Sequence, residues 1–111
     1  MKLYKVLITP DAETDLQEIR DYIAYELGVP ETALSYLRAL KDAIDKLSYN
    51  GASVAAVKDE PCHSRGLRKI TAKNFYVYYL VDDSTDRILV LNVIYSKRDQ
   101  VKALREKIKP E

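Results

Sequence analysis

The segment that most constrains the fold is residues 87–95, in which Arg87 is followed by an almost unbroken apolar run. After Arg87 it reads Ile88-Leu89-Val90-Leu91-Asn92-Val93-Ile94-Tyr95. Short runs rich in β-branched residues are typical of strands that are buried on both faces. The run therefore predicts the central strand of a sheet, and such a strand needs neighbours on both sides.

Three further segments supply candidate neighbours for this strand. Residues 3–8, 66–71 and 75–81 are rich in apolar, aromatic and β-branched side chains and predict strands. A tight connection at 72–74 joins the second segment to the third. Residues 82–86, Asp-Asp-Ser-Thr-Asp, form a typical turn before the central strand. Residues 50–64 show no clean period and predict a long loop.

Two helices are predicted between the first and second strands. Thr9-Pro10-Asp11 starts the first, because threonine caps free N–H groups and proline fits the first helical position. Gly28-Val29-Pro30 ends it, and the second helix runs from there to Asn50-Gly51. The short connection predicts an antiparallel hairpin. The acidic residues of the first helix are interpreted as lying around its exposed face; they are Asp11, Glu13, Asp15 and Glu18.

A last helical stripe at residues 98–109 completes the order β-α-α-β-β-β-α. This order predicts an α+β fold with a helical hairpin packed on a mostly antiparallel four-stranded sheet. The 111 residues predict a single domain spanning 1–111. No apolar run approaches the roughly 18 residues of a membrane helix, and no signal-peptide core follows the N-terminus. We therefore expect a cytoplasmic protein with no membrane association.

Cys62 is the only cysteine and His63 the only histidine. These counts argue against an internal disulfide framework, Cys/His zinc clusters and catalytic triads that use further histidines. The two residues are sequence neighbours, a placement that rarely directs a thiol and an imidazole at each other. No metal and no cofactor are expected.

The net charge of +1 is unevenly distributed along the chain. Residues 1–57 hold six basic and nine acidic side chains, whereas residues 58–111 hold twelve basic and eight acidic ones. The basic excess lies in 62–81, with Arg65, Arg68, Lys69 and Lys73, and in 97–109, which includes Lys97 and Arg98. A basic second half of the chain is typical of a surface that binds an anionic partner, and it is also typical of a face exposed to solvent. Both interpretations stay open.

Assembled in order, these segments resemble the RelE/ParE toxins of bacterial and archaeal toxin–antitoxin pairs. The resemblance covers almost the whole chain. It rests on Tyr4-Lys5-Val6 with Thr9-Pro10-Asp11-Ala12, on Arg65-Gly66-Leu67-Arg68-Lys69-Ile70, on residues 74–82, and on residues 88–95 ending in Lys97-Arg98-Asp99.

The resemblance implies alternative activities, of which the first is metal-independent, ribosome-dependent cleavage of mRNA. Its catalytic candidates here are Arg68, Lys69 and Arg98. The binding candidates are Arg65, Lys73, Tyr76 and Lys97. Tyr76 stands where that branch carries an arginine on the second hairpin strand, and Leu104 stands near the position of its C-terminal tyrosine.

The other branch, ParE, is implied to inhibit DNA gyrase without this catalytic set. Tyr76 and Leu104, which replace residues of the ribonuclease branch, and the modest net charge favour the gyrase branch. A further alternative is an inactive, partner-binding homologue. The resemblance also implies a cognate antitoxin, which we expect to wrap the chain and shield Arg68 and Arg98. We expect Arg65, Arg68, Lys69 and Arg98 to meet at one edge of the sheet.

Overall fold

The computed structural model describes residues 2–58 and 66–97. Two helices and four strands form within these ranges, with a π-helical turn at Tyr22–Glu26 and a 3₁₀ turn at Gly51–Ser53. The predicted last helix, residues 59–64 of the predicted loop and Arg65 lie outside the described residues. The main elements are β1 (Lys5–Ile8), α1 (Pro10–Asp21), α2 (Pro30–Asn50), β2 (Arg68–Ala72), β3 (Phe75–Asp82) and β4 (Arg87–Tyr95).

The four strands form one sheet in the order β1-β4-β3-β2. Strands β3 and β4 pair antiparallel, as do β2 and β3, whereas β1 runs parallel to β4. The apolar run of residues 87–95 is therefore an inner strand, and the predicted helical hairpin on a mostly antiparallel four-stranded sheet is confirmed. Within the described ranges, no helix combines the length and the apolar character needed to cross a bilayer.

The two sides of the sheet carry separate apolar clusters. On the side that faces the helices, side chains of α1 and α2 pack against Val77, Tyr79, Ile88, Val90 and Val93. On the other side, which we call the outer side, a smaller cluster forms around Leu67, Tyr78 and Ile94. The alternation of side chains along a strand accounts for the division, since neighbouring residues point to opposite sides.

Thr9 joins the start of α1 to the central strand. Its hydroxyl accepts a hydrogen bond from the Ala12 N–H at 3.3 Å, which caps the helix as predicted. The same hydroxyl donates to the Val90 carbonyl oxygen at 2.8 Å, and the Thr9 N–H donates to that oxygen at 3.0 Å. One residue thus satisfies the helix end and fixes its position over β4.

Asp15 is buried, so its interpretation as part of the exposed face of α1 was wrong. Its side chain is 3% exposed, and its Oδ2 accepts hydrogen bonds from the Val93 N–H at 2.9 Å and from Asn92 Nδ2 at 3.3 Å. Strand β4 has an irregularity at this point, because Tyr78 pairs with Asn92 and Tyr79 pairs with Val90, which leaves Leu91 between them. The carboxylate therefore binds α1 to β4 beside a bulge.

The first helix also ends differently from the prediction. Its α-helical part stops at Asp21, and the π-helical turn continues the chain to Glu26. Gly28, at a φ of +70°, then turns the chain toward α2, in the left-handed region that glycine tolerates. π-Helical turns often occur at functional sites, because they shift side chains out of the regular helical register.

Candidate functional site

The β2–β3 hairpin carries most of the basic candidates within the described residues. Arg68 and Lys69 lie on β2, Lys73 lies in the turn, and Tyr76 lies on β3. Lys97 follows β4 and is exposed. Arg65 and Arg98 lie outside the described residues.

Arg68 lies on the helix-facing side of the sheet. Its cross-strand partner is Tyr79, a member of the cluster under the helices. The half-buried Arg68 side chain donates from Nη1 to the backbone oxygen of Ala52, in the 3₁₀ turn that follows α2. This contact gives Arg68 a structural role, because it ties the edge strand to the end of the helical hairpin.

Tyr79 reinforces the same connection. Its buried hydroxyl donates to the Gly51 carbonyl oxygen at 2.8 Å. Burial raises the pKa of Tyr79 above its usual value, with a smaller opposing effect from Arg68, so the phenol keeps its proton near neutral pH. A Cβ on Gly51 would lie 2.8 Å from Ile88 Cδ1, so glycine allows the close approach of the turn to β4.

Lys69 lies on the outer side. Its cross-strand partner is Tyr78, and its Nζ lies 4.1 Å from the centroid of the Tyr76 ring, within the range of a cation–π interaction. Tyr76 in turn meets Tyr78 edge to face, with centroids 6.3 Å apart. We call Lys69 and Tyr76 the outer patch. It combines a cation with an aromatic ring on one surface.

The structure therefore separates two residues that the sequence places side by side. Arg68 and Lys69 are neighbours on β2, and the pleat directs them to opposite sides of the sheet. Lys69 and Tyr76 are brought together. Lys73 lies apart from both, in a turn where its φ is +49°, and its Nζ is 5.5 Å from the centroid of the Tyr36 ring of α2.

A second surface is a groove of about 500 Å³ between the end of α1 and the β3–β4 pair, which we call the hairpin groove. Its walls are mainly aromatic and aliphatic, and its charged lining residues are Asp15, Glu18 and Lys73. Tyr22, Leu27, Phe75 and Tyr95 are among its aromatic and aliphatic lining residues. Nothing in the sequence analysis singled out this groove. Its one sequence signal is the group of large apolar residues around Tyr22 and Leu27, where a helix was expected to end.

Metal ligands are not grouped in the parts of the chain that the structure describes: no three His, Cys, Asp or Glu side chains lie together there as a potential site.

Comparison with known proteins places the chain in a family. Residues 6–100 match the family described as the ParE toxin of the type II toxin–antitoxin system, parDE. No curated protein gives a significant match.

Two solved structures share the fold. A chain of the chromosomal ParDE toxin–antitoxin system from P. aeruginosa superposes with a TM-score of 0.70 at 22% identity, covering 86% of this chain and 98% of that one. A chain of the RelBE2 toxin–antitoxin complex from Mycobacterium tuberculosis gives 0.58 at 19% identity, covering 84% and 98%. At these identities the likeness concerns the fold alone. Since the family match spans most of the sequence, the chain belongs to the ParE toxin family of type II toxin–antitoxin systems.

Proposed function

We propose that this protein arrests growth by binding and inhibiting DNA gyrase in the cytoplasm, without cleaving a nucleic acid. Membership of the ParE family supports the proposal. The observation that carries it is the placement of Arg68 and Lys69 on opposite sides of the sheet, with Arg68 bound to the Ala52 carbonyl oxygen.

Cleavage of RNA by attack of a 2′-hydroxyl needs several groups arranged around one phosphate. They have to activate the nucleophile, stabilise negative charge on the phosphate and protonate the leaving group. Arg68 and Lys69 are two of the three candidates for these tasks, and side chains on opposite sides of a sheet do not meet at one phosphate. Their arrangement favours a binding surface over a nucleolytic centre.

The outer patch is the part of the described surface that we assign to the target. Lys69 supplies a positive charge that would complement an acidic partner surface, and Tyr76 supplies a broad aromatic ring of the kind that is enriched in protein interfaces. Arg65, Lys97 and Arg98 extend this assignment as candidates from the sequence. Lys73 does not belong to it, because its side chain lies beside Tyr36 of α2.

We also propose that a cognate antitoxin neutralises the protein. Both solved relatives come from toxin–antitoxin systems, and the family is defined by its place in such a pair. A segment that folds only on the toxin would suit a small domain with exposed apolar surface.

The second candidate function is ribosome-dependent cleavage of mRNA. The fold shared with the RelBE2 complex and the cation over the Tyr76 ring favour it, because aromatic rings and nearby cations also stack on unpaired bases. Its catalytic set would then combine Lys69 with Arg98, and Arg68 would support the strand.

Induction in growing cells distinguishes the two candidates. Gyrase inhibition predicts filamentation and DNA-damage signalling while incorporation of labelled methionine continues at first. Cleavage of mRNA predicts an immediate loss of methionine incorporation. Co-expression of the antitoxin from the neighbouring reading frame should restore growth. An induced, folded protein that leaves growth unchanged would contradict the proposal and favour an inactive homologue.

Lys69→Ala should weaken the growth arrest, because it removes the cation of the outer patch. Lys46→Ala, which removes an exposed lysine of α2, should leave the arrest unchanged. Equal toxicity of the two variants would argue against the outer patch as the target surface.

A further inference from the structure

We propose that the edge strand β2 binds an extended, acidic segment of the target protein, which pairs with it as an added strand of the sheet. The inference rests on the proposed function, because the target is the gyrase named there. It adds the mode of recognition, which is backbone pairing along β2, and the chemistry of the segment that pairs.

The register of the β2–β3 hairpin determines which backbone groups of β2 point away from the sheet. A two-residue turn at 73–74, with positive φ at both positions, joins the paired residues Ala72 and Phe75. Residues that flank such a turn form a hydrogen-bonded pair, and bonded pairs alternate along an antiparallel ladder. Lys69 and Thr71 therefore direct their N–H and C=O groups outward. We call these outward groups the open edge.

A hydrogen bond just before β2 supports this assignment. The carbonyl oxygen of Leu67, two residues before Lys69, also points outward and accepts from the Val57 N–H at 2.7 Å. The chain that follows α2 thus occupies the edge only where β2 begins. Among the residues that the structure describes, none forms a hydrogen bond with the open edge, and Thr71 is exposed.

The opposite edge of the sheet differs at the start of its strand. The Tyr4 N–H, just before β1, donates to the Ser48 carbonyl oxygen at 2.9 Å, and the Ser48 hydroxyl donates to the Tyr4 carbonyl oxygen at 2.7 Å. The end of α2 therefore covers both outward groups of Tyr4. Unpaired backbone groups, such as those of the open edge, are a template for a strand of another chain.

The side chains along β2 specify what such a strand would carry. Lys69 and Thr71 project to the outer side, where the Lys69 Nζ lies 4.1 Å from the centroid of the Tyr76 ring. Ile70 projects to the other side and packs, partly buried, against the cluster under the helices. The added strand would place an acidic side chain opposite Lys69 and an apolar one beside Ile70, because cross-strand neighbours share a side.

Charge distinguishes the target from a second copy of this chain. Pairing of two β2 strands would bring two copies of Lys69 to the same side of the junction, where like charges repel. A lysine on an edge strand opposes self-pairing for this reason. An acidic segment is instead attracted, and Lys69 makes the open edge continuous with the outer patch that we assign to the target.

A proline substitution tests the backbone pairing. Thr71→Pro removes an outward N–H without breaking a hydrogen bond to β3, and edge strands accept proline at such positions. Its binding to purified gyrase, measured by surface plasmon resonance, should be weakened by about tenfold or more. Thr71→Ala keeps the N–H and should lose less affinity than Thr71→Pro. Equal losses in the two variants would overturn the pairing.

The matched control places proline at the opposite edge. The N–H groups of Lys5 and Thr9 donate toward β4, so the N–H of Val6 points away from it. Val6→Pro should bind gyrase as tightly as the wild type, after circular dichroism has shown that each variant is folded. A loss of affinity as large as that of Thr71→Pro would overturn the assignment to β2.

Charge reversal tests the acidic character of the segment. Lys69→Glu should weaken binding by about fivefold or more, because it opposes an acidic side chain with a negative charge. Lys46→Glu makes the same change at an exposed position of α2 and should have no effect. Equal affinities of the two variants would contradict an acidic partner strand.

Hydrogen exchange of the wild-type complex, followed by NMR, decides the question even if Thr71→Pro does not fold. Gyrase should slow exchange of the Lys69 and Thr71 amides by about tenfold or more and leave that of Val6 unchanged. Bound gyrase without this slowing would overturn the inference and leave the proposed function intact. A wild-type protein that does not bind gyrase would overturn the proposed function itself. Slowing by the antitoxin alone would assign the open edge to the antitoxin and overturn the inference.

Discussion

Both the helix-facing side of the sheet and its outer side carry a basic residue and a tyrosine, but these residues make different contacts on the two sides. On the helix-facing side, Arg68 and Tyr79 donate to backbone oxygens of the turn after α2, and Asp15 accepts from β4. On the outer side, Lys69 lies over the Tyr76 ring, and no described hydrogen bond ties it to another element. Arg68 and Asp15 thus connect separate elements of the fold, whereas Lys69 contacts a ring on the neighbouring strand of the same sheet.

The comparison shows why a basic cluster in the sequence is an uncertain guide to a site. Arg68 and Lys69 contribute equally to the positive charge of the second half, yet the pleat gives them different surroundings.

The largest effect should come from the core under the helices. Ile44→Ala removes a side chain of α2 that is 1% exposed, and the transfer and cavity costs together should lower the free energy of unfolding by about 2–5 kcal/mol. Leu34→Ala, on the same helix but 54% exposed, should change it by less than about 0.5 kcal/mol. Urea denaturation measures both. A cost for Leu34→Ala as large as that for Ile44→Ala would mean that the exposed end of the hairpin is part of the core.

Asp15 should give the next largest effect, because its loss leaves two buried N–H groups of β4 without their acceptor. We expect Asp15→Ala to cost about 1.5–3 kcal/mol, and Asp15→Asn to cost less, since its amide oxygen still accepts. Asp42→Asn changes an exposed carboxylate of α2 and should be nearly neutral. If Asp15→Ala unfolds at the same urea concentration as the wild type, the contact between α1 and β4 does not stabilise the fold.

Arg68 and Lys69 give the most direct comparison of the two sides. Arg68→Ala should lower the free energy of unfolding by about 1 kcal/mol, because it removes a charge-assisted hydrogen bond to Ala52 at a partly exposed position. Lys69→Ala should lower it by less than about 0.5 kcal/mol and should reduce toxicity more than Arg68→Ala does. The reverse pattern, a stable but non-toxic Arg68→Ala protein, would place Arg68 in the toxic surface.

The smallest effect should appear at alkaline pH. Burial raises the folded-state pKa of Tyr79 above its usual 10.0. The unfolded chain therefore releases this proton first. The contribution of Tyr79 to stability is complete below about pH 10 and falls as the pH rises toward the folded-state value. In urea titrations above pH 10, Tyr79→Phe should lose stability less steeply than the wild type, while Tyr49→Phe, at an exposed position, should follow the wild type.

The fold could be predicted from the sequence because buried apolar residues recur at the spacing of a helix or a strand. The apolar run of residues 87–95 indicated an inner strand. In α2, the buried side chains Leu40, Ile44 and Leu47 recur at the four- and three-residue spacing of one helix face. Asp15 shows the limit of this reasoning. Its partners Asn92 and Val93 are more than 75 positions away in the sequence. The hydropathy pattern does not indicate which distant N–H group donates a hydrogen bond to a carboxylate.

The candidate site could be predicted only in part. The residue types on β2 and β3 were visible in the sequence, but which of them share a side depends on strand register and on the bulge in β4. The hairpin groove was not anticipated, because the pattern around Tyr22 gives the same signal for an α-helix and for a π-helical turn. Both features arise when separate elements pack together.

The proposed function is that this toxin acts on gyrase by binding and not by cleaving RNA. The most direct test incubates the purified protein in parallel with gyrase and relaxed plasmid, and with ribosomes that carry a defined mRNA. We expect loss of supercoiling or accumulation of cleaved plasmid–gyrase complexes, weakened by Lys69→Ala, with the mRNA left intact. Discrete cuts of the mRNA in the ribosomal A site, with gyrase activity unchanged, would contradict it.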